Sequence, residues 1–173
     1  MKNFRSVLTT ILMGSVCHGL FAADYYCAPG ANGSGSESDP GDVISAVKKI
    51  GAGETIYLKE GVYKFSSTIL IEEENSGTAG KLKTIKPVEG AEVVLDFSGQ
   101  SAGASNRGFV LDGDYWHFYG FTITNAGDNG MLLSGSNNII EMMVFDDNED
   151  TGLQISRYNT SNTTLASWPS NKL

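Results

Sequence analysis

The chain has 173 residues, with twelve Lys and Arg against twenty Asp and Glu and a formal net charge of −8. A field of that sign argues against binding nucleic acid or an anionic membrane through overall electrostatics. It also opposes an acidic polysaccharide unless a cation or a local basic cluster bridges the two. With only Cys17 and Cys27 in the chain, a framework of several disulfides is ruled out.

Residues 1 to about 22 have the layout of a secretory signal peptide: Lys2 and Arg5 first, an apolar run from Val7 to Val16, then Leu20-Phe21-Ala22-Ala23 as the cleavage neighbourhood. The apolar run is too short to span a bilayer and contains Thr9, Thr10 and Ser15. Cys17 follows Gly14-Ser15-Val16, a poor lipobox. The mature chain then starts near residue 23, carries ten basic against twenty acidic residues, net −10, and keeps Cys27 alone. A lone cysteine forms no internal disulfide, and Cys27 is read as a small buried apolar residue.

Tyr25-Tyr26-Cys27 reads as a strand and residues 28–38 as a Gly/Ser loop. Asp39-Pro40 reads as a helix start, with Asp39 as N-cap and Pro40 in the first helical position. Val43, Ile44, Ala46, Val47 and Ile50 form one stripe, and Gly51 or Gly53 is expected to stop the helix. Such a helix would cover the open apolar end of whatever follows. Short strands come next: residues 54–58, 62–63, 68–71, 82–86 and 93–97, with a loop at 76–80. Glu72-Glu73-Glu74 is read as a solvated turn, because adjacent side chains on an extended chain point to opposite faces.

From Arg107 a repeat takes over. Gly108-Phe109-Val110-Leu111 returns as Gly130-Met131-Leu132-Leu133 and as Gly152-Leu153-Gln154-Ile155, in steps of 22 residues. Gly113/Gly135, Phe118/Ile140, Phe121/Met143, Ile123/Phe145, Asn125/Asp147 and Asp128/Asp150 keep the same step. A fixed period with alternating short strands and Gly/Asn/Asp punctuation is that of an all-β solenoid, in which each coil buries its apolar side by stacking on its neighbours. The expected fold is a right-handed parallel β-helix with three strands and three turns per coil, capped at its start by the short helix. Residues 23–173 form its N-terminal part. A segment of about a dozen extra residues, Tyr158 to Pro169, separates the third repeat from Ser170-Asn171-Lys172-Leu173. The last residues open a strand with no cap, so the chain is expected to be truncated at its C-terminal end.

Few residues suggest chemistry by type alone. His117 lies between Trp116 and Phe118 in a strand-like run, where a packed or surface histidine is expected. Asp146, Asp147, Glu149 and Asp150 form the densest acidic cluster. A calcium site would need several of them to converge; the alternative is a solvated turn whose Asn and Asp tolerate left-handed backbone.

Several phrases together resemble the pectate lyases of polysaccharide lyase family 9: residues 54–63, 76–81, 95–100, 113–118, 125–130, 136–141 and 150–157. The resemblance covers the chain from about Tyr25 to Leu173. It implies secretion, a monomer at full length, and calcium-assisted β-elimination on polygalacturonate, an acidic plant polysaccharide. In such chemistry a calcium ion on the uronate carboxylate stabilises the enolate-like intermediate, and a lysine takes the proton. The family's calcium aspartates lie on runs resembling Ala-Asp-Gly-Phe-Ala and Asp-Asp-Gly-Trp-Asp. Neither run occurs here, so no catalytic or metal residue is assigned, and the chain alone is expected to be inactive.

The resemblance also points to Gln154, Arg157 and Tyr158 as substrate-binding residues, since they open the long loop next to where the family's groove begins. Arg157 would grip a galacturonate carboxylate through its planar fork, or else pair with Asp150 or Glu149. Trp168 anchors the loop or stacks on a sugar, and Asn159 and Asn162 sit in glycosylation acceptor patterns. Two other functions stay open: a non-catalytic β-helix binding acidic polysaccharide at the cell surface, and a β-helix hydrolase, which would need paired carboxylates.

Overall fold

The computed structural model describes residues 24–157. The expected signal segment 1–22, Cys17, Tyr158, Trp168, Asn159, Asn162 and the strand expected at 170–173 lie outside the described residues.

Strand β1 (Tyr25–Cys27) and helix α1 (Val43–Lys49) precede four coils of three strands each. The first coil is β2 (Thr55–Leu58), β3 (Gly61–Lys64) and β4 (Ile69–Ile71); the second is β5 (Lys83–Pro87), β6 (Val93–Asp96) and β7 (Phe109–Leu111). The third is β8 (Trp116–Tyr119), β9 (Thr122–Thr124) and β10 (Met131–Leu133); the fourth is β11 (Ile139–Glu141), β12 (Val144–Asp146) and β13 (Leu153–Ile155). Each coil gives one strand to each of three sheets, ordered β1-β2-β5-β8-β11, β3-β6-β9-β12 and β4-β7-β10-β13. Every pairing between these strands is parallel. The fold is a right-handed parallel β-helix.

The 22-residue step of the sequence is one turn of this solenoid. Met131 pairs with Phe109 on one side and Leu153 on the other, Ile140 with Phe118, and Phe145 with Ile123. Earlier coils are longer: Ile56 pairs with Ile85 and Ile69 with Phe109, steps of 29 and 40 residues. The extra residues leave as loops, which hid the first coils from a fixed-period reading. Left-handed backbone stacks as well, at Tyr115 and Asn137 (φ 58° and 59°), Gly120 and Met142 (75° and 55°), and Asn125 and Asp147 (56° and 50°).

Inside the coils the inward residues of all three sheets meet. Phe65 stacks on Phe97 with ring centroids 4.9 Å apart, Phe97 and Phe109 meet edge-on at 6.1 Å, and Phe109 and Phe118 edge-on at 5.4 Å. Phe97, Phe109, Trp116 and Phe118 are fully buried, and each such side chain contributes about 2 kcal/mol of hydrophobic stabilisation. Cys27 is also fully buried, and that burial pushes its thiol up to about 12, which leaves it a packing residue rather than a nucleophile.

Helix α1 covers the first coil as expected, yet it starts three residues late. Its N-cap is Asp42, whose Oδ1 accepts from the Ser45 N–H at 2.8 Å. Asp39 instead accepts from the Ser34 N–H at 2.8 Å, and the Gly41 N–H donates to Tyr26 O at 2.9 Å. The latter bond ties residues 40–41 to β1 in extended form, so Pro40 cannot open the helix. Val43, Ala46, Val47 and Ile50 are buried, but Ile44 turns outward at 39% exposure. The helix also ends without a left-handed glycine: Ile50 turns extended (φ −65°, ψ 142°), and Gly53 has its positive φ in the next turn. Glu72, Glu73 and Glu74 are exposed around a short 3-10 turn at Glu73–Asn75.

Candidate functional site

Polar side chains concentrate where the second sheet turns into the third, along residues 97–108, 125–130 and 147–152. The turns are laced to one another at the coil spacing. Asn148 Oδ1 accepts from the Ala126 N–H at 3.0 Å, and Asn129 Oδ1 from the Thr151 N–H at 3.3 Å. The Gly127 N–H donates to Gln100 Oε1 at 3.0 Å, and Gln100 Nε2 donates to Arg107 O at 2.9 Å. These bonds replace regular sheet pairing in the turns, so the seam is a fixed surface rather than a set of loose loops.

Two charged anchors hold the seam. Asp96, 7% exposed, accepts from Lys64 Nζ, from the Ser98 N–H at 2.8 Å and from Asn125 Nδ2 at 3.2 Å. Burial alone would push its carboxyl up, but these donors outweigh burial and hold it at about 2. The second anchor is Asp128, whose Oδ2 lies 3.3 Å from Arg107 Nε and accepts from Asn129 Nδ2 at 3.1 Å. Beside the first anchor is a recess of about 260 Å³ lined by Ser98, Gln100, Asn125, Ala126, Asp147 and Glu149.

A depressed carboxyl pKa stabilises the fold above the unfolded value and ceases to as pH falls through the folded one. Asp96 therefore contributes on the order of 2 kcal/mol at neutral pH, lost between about pH 4 and pH 2. Urea denaturation of the native chain and Asp96→Asn at a series of pH values should show a gap that closes over that window. A gap independent of pH would remove the charge argument.

Asp146, Asp147, Glu149 and Asp150 are exposed and follow the turn. The Glu149 N–H donates to Ala126 O at 3.0 Å and the Asp150 N–H to Asp128 O at 3.2 Å, with Asp147 left-handed. Among the described residues no three His, Cys, Asp or Glu side chains are grouped to hold a metal ion. The two most enclosed acids of this seam are already committed, Asp128 to Arg107 and Asn129, and Asp96 to Lys64, Ser98 and Asn125. These donors do not fit a calcium cage. His117 lies on the first sheet, its Nε2 3.0 Å from Glu141 Oε2, away from the seam.

Gln154 is at the centre of β13, partly exposed. Its neighbours Leu153 and Ile155 align with the buried Met131 and Leu133, so Gln154 shares the outward column of Leu70, Val110 and Leu132. Its Oε1 accepts from Asn129 Nδ2 at 3.2 Å, which joins it to the seam. Arg157 lies two residues past the end of β13 and is partly buried; Tyr158 is outside the described residues. Sequence reasoning missed Lys64, Asp96, Arg107 and Asn129. The available signal was the coil step itself, which sets Asn129 opposite Thr151.

The fold and seam define a right-handed parallel β-helix with a polar, hydrogen-bonded edge on one side of its third sheet. Residues 25–171 match the family described as "Pel9A-like, right handed beta helix region", and the chain belongs to that family. It is 44% identical over 156 residues to pectate lyase L of Paenibacillus polymyxa (strain SC2), covering 89% of this chain and 34% of that protein. To pectate lyase L of Dickeya dadantii (strain 3937) it is 33% identical over 177 residues, covering 96% of this chain and 42% of that protein. The crystal structure of pectate lyase Pel9A superposes with a TM-score of 0.68 at 34% identity, over 76% of this chain and 35% of that one. The chain thus spans well under half the length of these relatives. No helix among the described residues is long and apolar enough to cross a membrane.

Proposed function

We propose that the chain is the N-terminal part of the β-helix of a secreted pectate-lyase-like enzyme that cleaves polygalacturonate by β-elimination. The observation that carries this reading is the identity to pectate lyase L along nearly the whole of the chain. The low coverage of those relatives supports the view that this region belongs to a longer catalytic β-helix. Calcium, in the family the sequence resembles, neutralises the uronate carboxylate and makes the neighbouring proton easier to lose. The described residues do not fit a calcium cage, so no step of that reaction is assigned to them. Their part is structural and recognitive: the seam fixes the outer face of the third sheet, and Gln154 and Arg157 contact the polysaccharide, together with Tyr158 from outside the described residues.

The test is to incubate the natively secreted protein with polygalacturonate, with and without a chelator, and follow ultraviolet absorbance of unsaturated uronate ends. Absorbance that rises and is abolished by chelation is the expected result. New reducing ends without unsaturation would point to a hydrolase, and binding without turnover to a non-catalytic module. The intact mass of the same sample, compared with the 18.5 kDa of this chain, would show whether the active species is longer.

A further inference from the structure

We propose that Asn129 is a positioning residue for Gln154, and that the carboxamide nitrogen of Gln154 donates to the carboxylate of a uronate unit on the outer face of the third sheet. The inference rests on the reading that this face binds acidic polysaccharide.

Asn129 is 2% exposed and every polar atom of its side chain is used. One amide nitrogen serves Asp128 Oδ2 at 3.1 Å and Gln154 Oε1 at 3.2 Å, and its oxygen accepts from the Thr151 N–H at 3.3 Å. That exhausts the two N–H donors of an asparagine. Arg107, with Nε 3.3 Å from Asp128 Oδ2, holds the acceptor at the far end of the chain of contacts. The relay Arg107–Asp128–Asn129–Gln154 therefore runs across three coils and ends by gripping the oxygen of Gln154. A carboxamide is planar and has its nitrogen opposite its oxygen, so holding Oε1 against Asn129 turns Nε2 away from the seam.

The column that Gln154 occupies gives an independent reason to look there. Leu70, Val110 and Leu132 hold the same outward position on the three preceding coils, and Val110 and Leu132 are only 2% and 3% exposed. The column is apolar packing surface until β13, where a polar side chain interrupts it. A carboxamide is a poor packing residue unless its polar atoms are used. Its oxygen is used by Asn129, and among the described residues its nitrogen has no partner, which leaves that group to meet a ligand. An amide N–H meets a carboxylate without needing a counter-charge of its own.

The experiment is calorimetric titration of the natively secreted protein, in calcium-containing buffer, with trigalacturonate and with its fully methyl-esterified form. Gln154→Ala should weaken binding of the acid about tenfold and leave the ester within about twofold, as expected for one hydrogen bond to a charged group. Gln154→Glu should weaken the acid further, because it sets one carboxylate against another. Both substitutions fall at a partly exposed position and leave the core untouched. Asn129→Ala should reproduce much of the loss in the native background and add nothing in the Gln154→Ala background. A purely structural asparagine would weaken both ligands equally and additively, which would overturn its positioning role. Unchanged trigalacturonate affinity in Gln154→Ala, or equal losses for acid and ester, would overturn the role of Gln154 while leaving the proposed function intact. Failure of the native protein to bind either trimer would overturn that function and this inference together.

Discussion

Gly135→Ala will destabilise the protein by about 3 kcal/mol, at the upper end of what overpacking usually costs. The reason is proximity rather than backbone freedom, since Gly135 is not among the residues with positive φ. A Cβ at this position would meet Gly113 O at 2.2 Å and Asp112 O at 2.7 Å, both main-chain atoms of the preceding coil. Neither can step aside, because the N–H groups of Ser134 and Gly135 both donate to Leu111 O at 2.9 Å and lock the two turns together. The coils would have to separate, and the strands on either side would separate with them. Gly80 supplies the control. It has φ 77° and nothing within 4 Å of a new Cβ, so Gly80→Ala pays only left-handed strain of about 1 kcal/mol. Urea denaturation of the two variants should therefore give clearly unequal losses. If Gly135→Ala costs no more than Gly80→Ala, close approach at this glycine does not set the coil spacing.

Gly108 and Gly130 obey the same constraint, and this explains why the repeat was legible in the sequence at all. Their Cβ atoms would lie 2.5 Å from Gly130 O and 2.7 Å from Gly152 O. Each coil meets the next at the same point, so glycine must recur at the coil length. The inward positions recur for a related reason, as strand register brings Phe118 against Ile140 and Ile123 against Phe145. Local pattern failed where a distant contact decided the outcome. Asp39-Pro40 satisfies the rules for a helix start as well as Asp42 does. The choice falls to Asp42 because the Gly41 N–H donates to Tyr26 O at 2.9 Å, a bond that no reading of the helix alone could supply.

The seam was harder to read, because several of its members change type from coil to coil. Arg107, Asn129 and Thr151 share one position on successive coils yet differ in type. What is constant is the offset. Side chains reach the preceding or following coil 22 residues away, as Ser134 Oγ does in donating to Asp112 Oδ1 at 2.8 Å and as Asp114 Oδ1 does in accepting from the Ser136 N–H at 2.6 Å. With the period in hand, each Asn or Asp in a turn can be tested against the main chain one coil away. That test would have found Asn129, Asn138 and Asn148. Lys64 and Asp96 escape it, because they sit in the earlier coils where the step is irregular.

Asn138→Ala will cost about 3 kcal/mol, more than Asn148→Ala at about 1 kcal/mol, although each removes one asparagine from the turns. Asn138 is fully buried; its Oδ1 accepts from the Trp116 N–H at 2.7 Å and its Nδ2 donates to Gly113 O at 3.1 Å. Alanine leaves that N–H and that carbonyl inside the protein without a partner, and each orphan costs about 1–3 kcal/mol. Asn148 makes bonds of the same kind, to the Ala126 N–H at 3.0 Å and Ile123 O at 3.3 Å, but is only partly buried. Water can replace part of what is lost there. Asn138→Asp separates the two halves of the amide's work. The introduced carboxyl keeps the acceptor for Trp116 but, when ionised, turns a negative oxygen toward Gly113 O in a buried site. Both effects raise its pKa in the folded protein, so the folded state binds the proton more tightly than the unfolded one. Stability of this variant should then fall as pH rises through and above the ordinary carboxylate range. Native protein and Asn138→Ala should not show that added slope. Equal pH dependence in all three would mean that the donor to Gly113 O is dispensable and that Asn138 works through Trp116 alone.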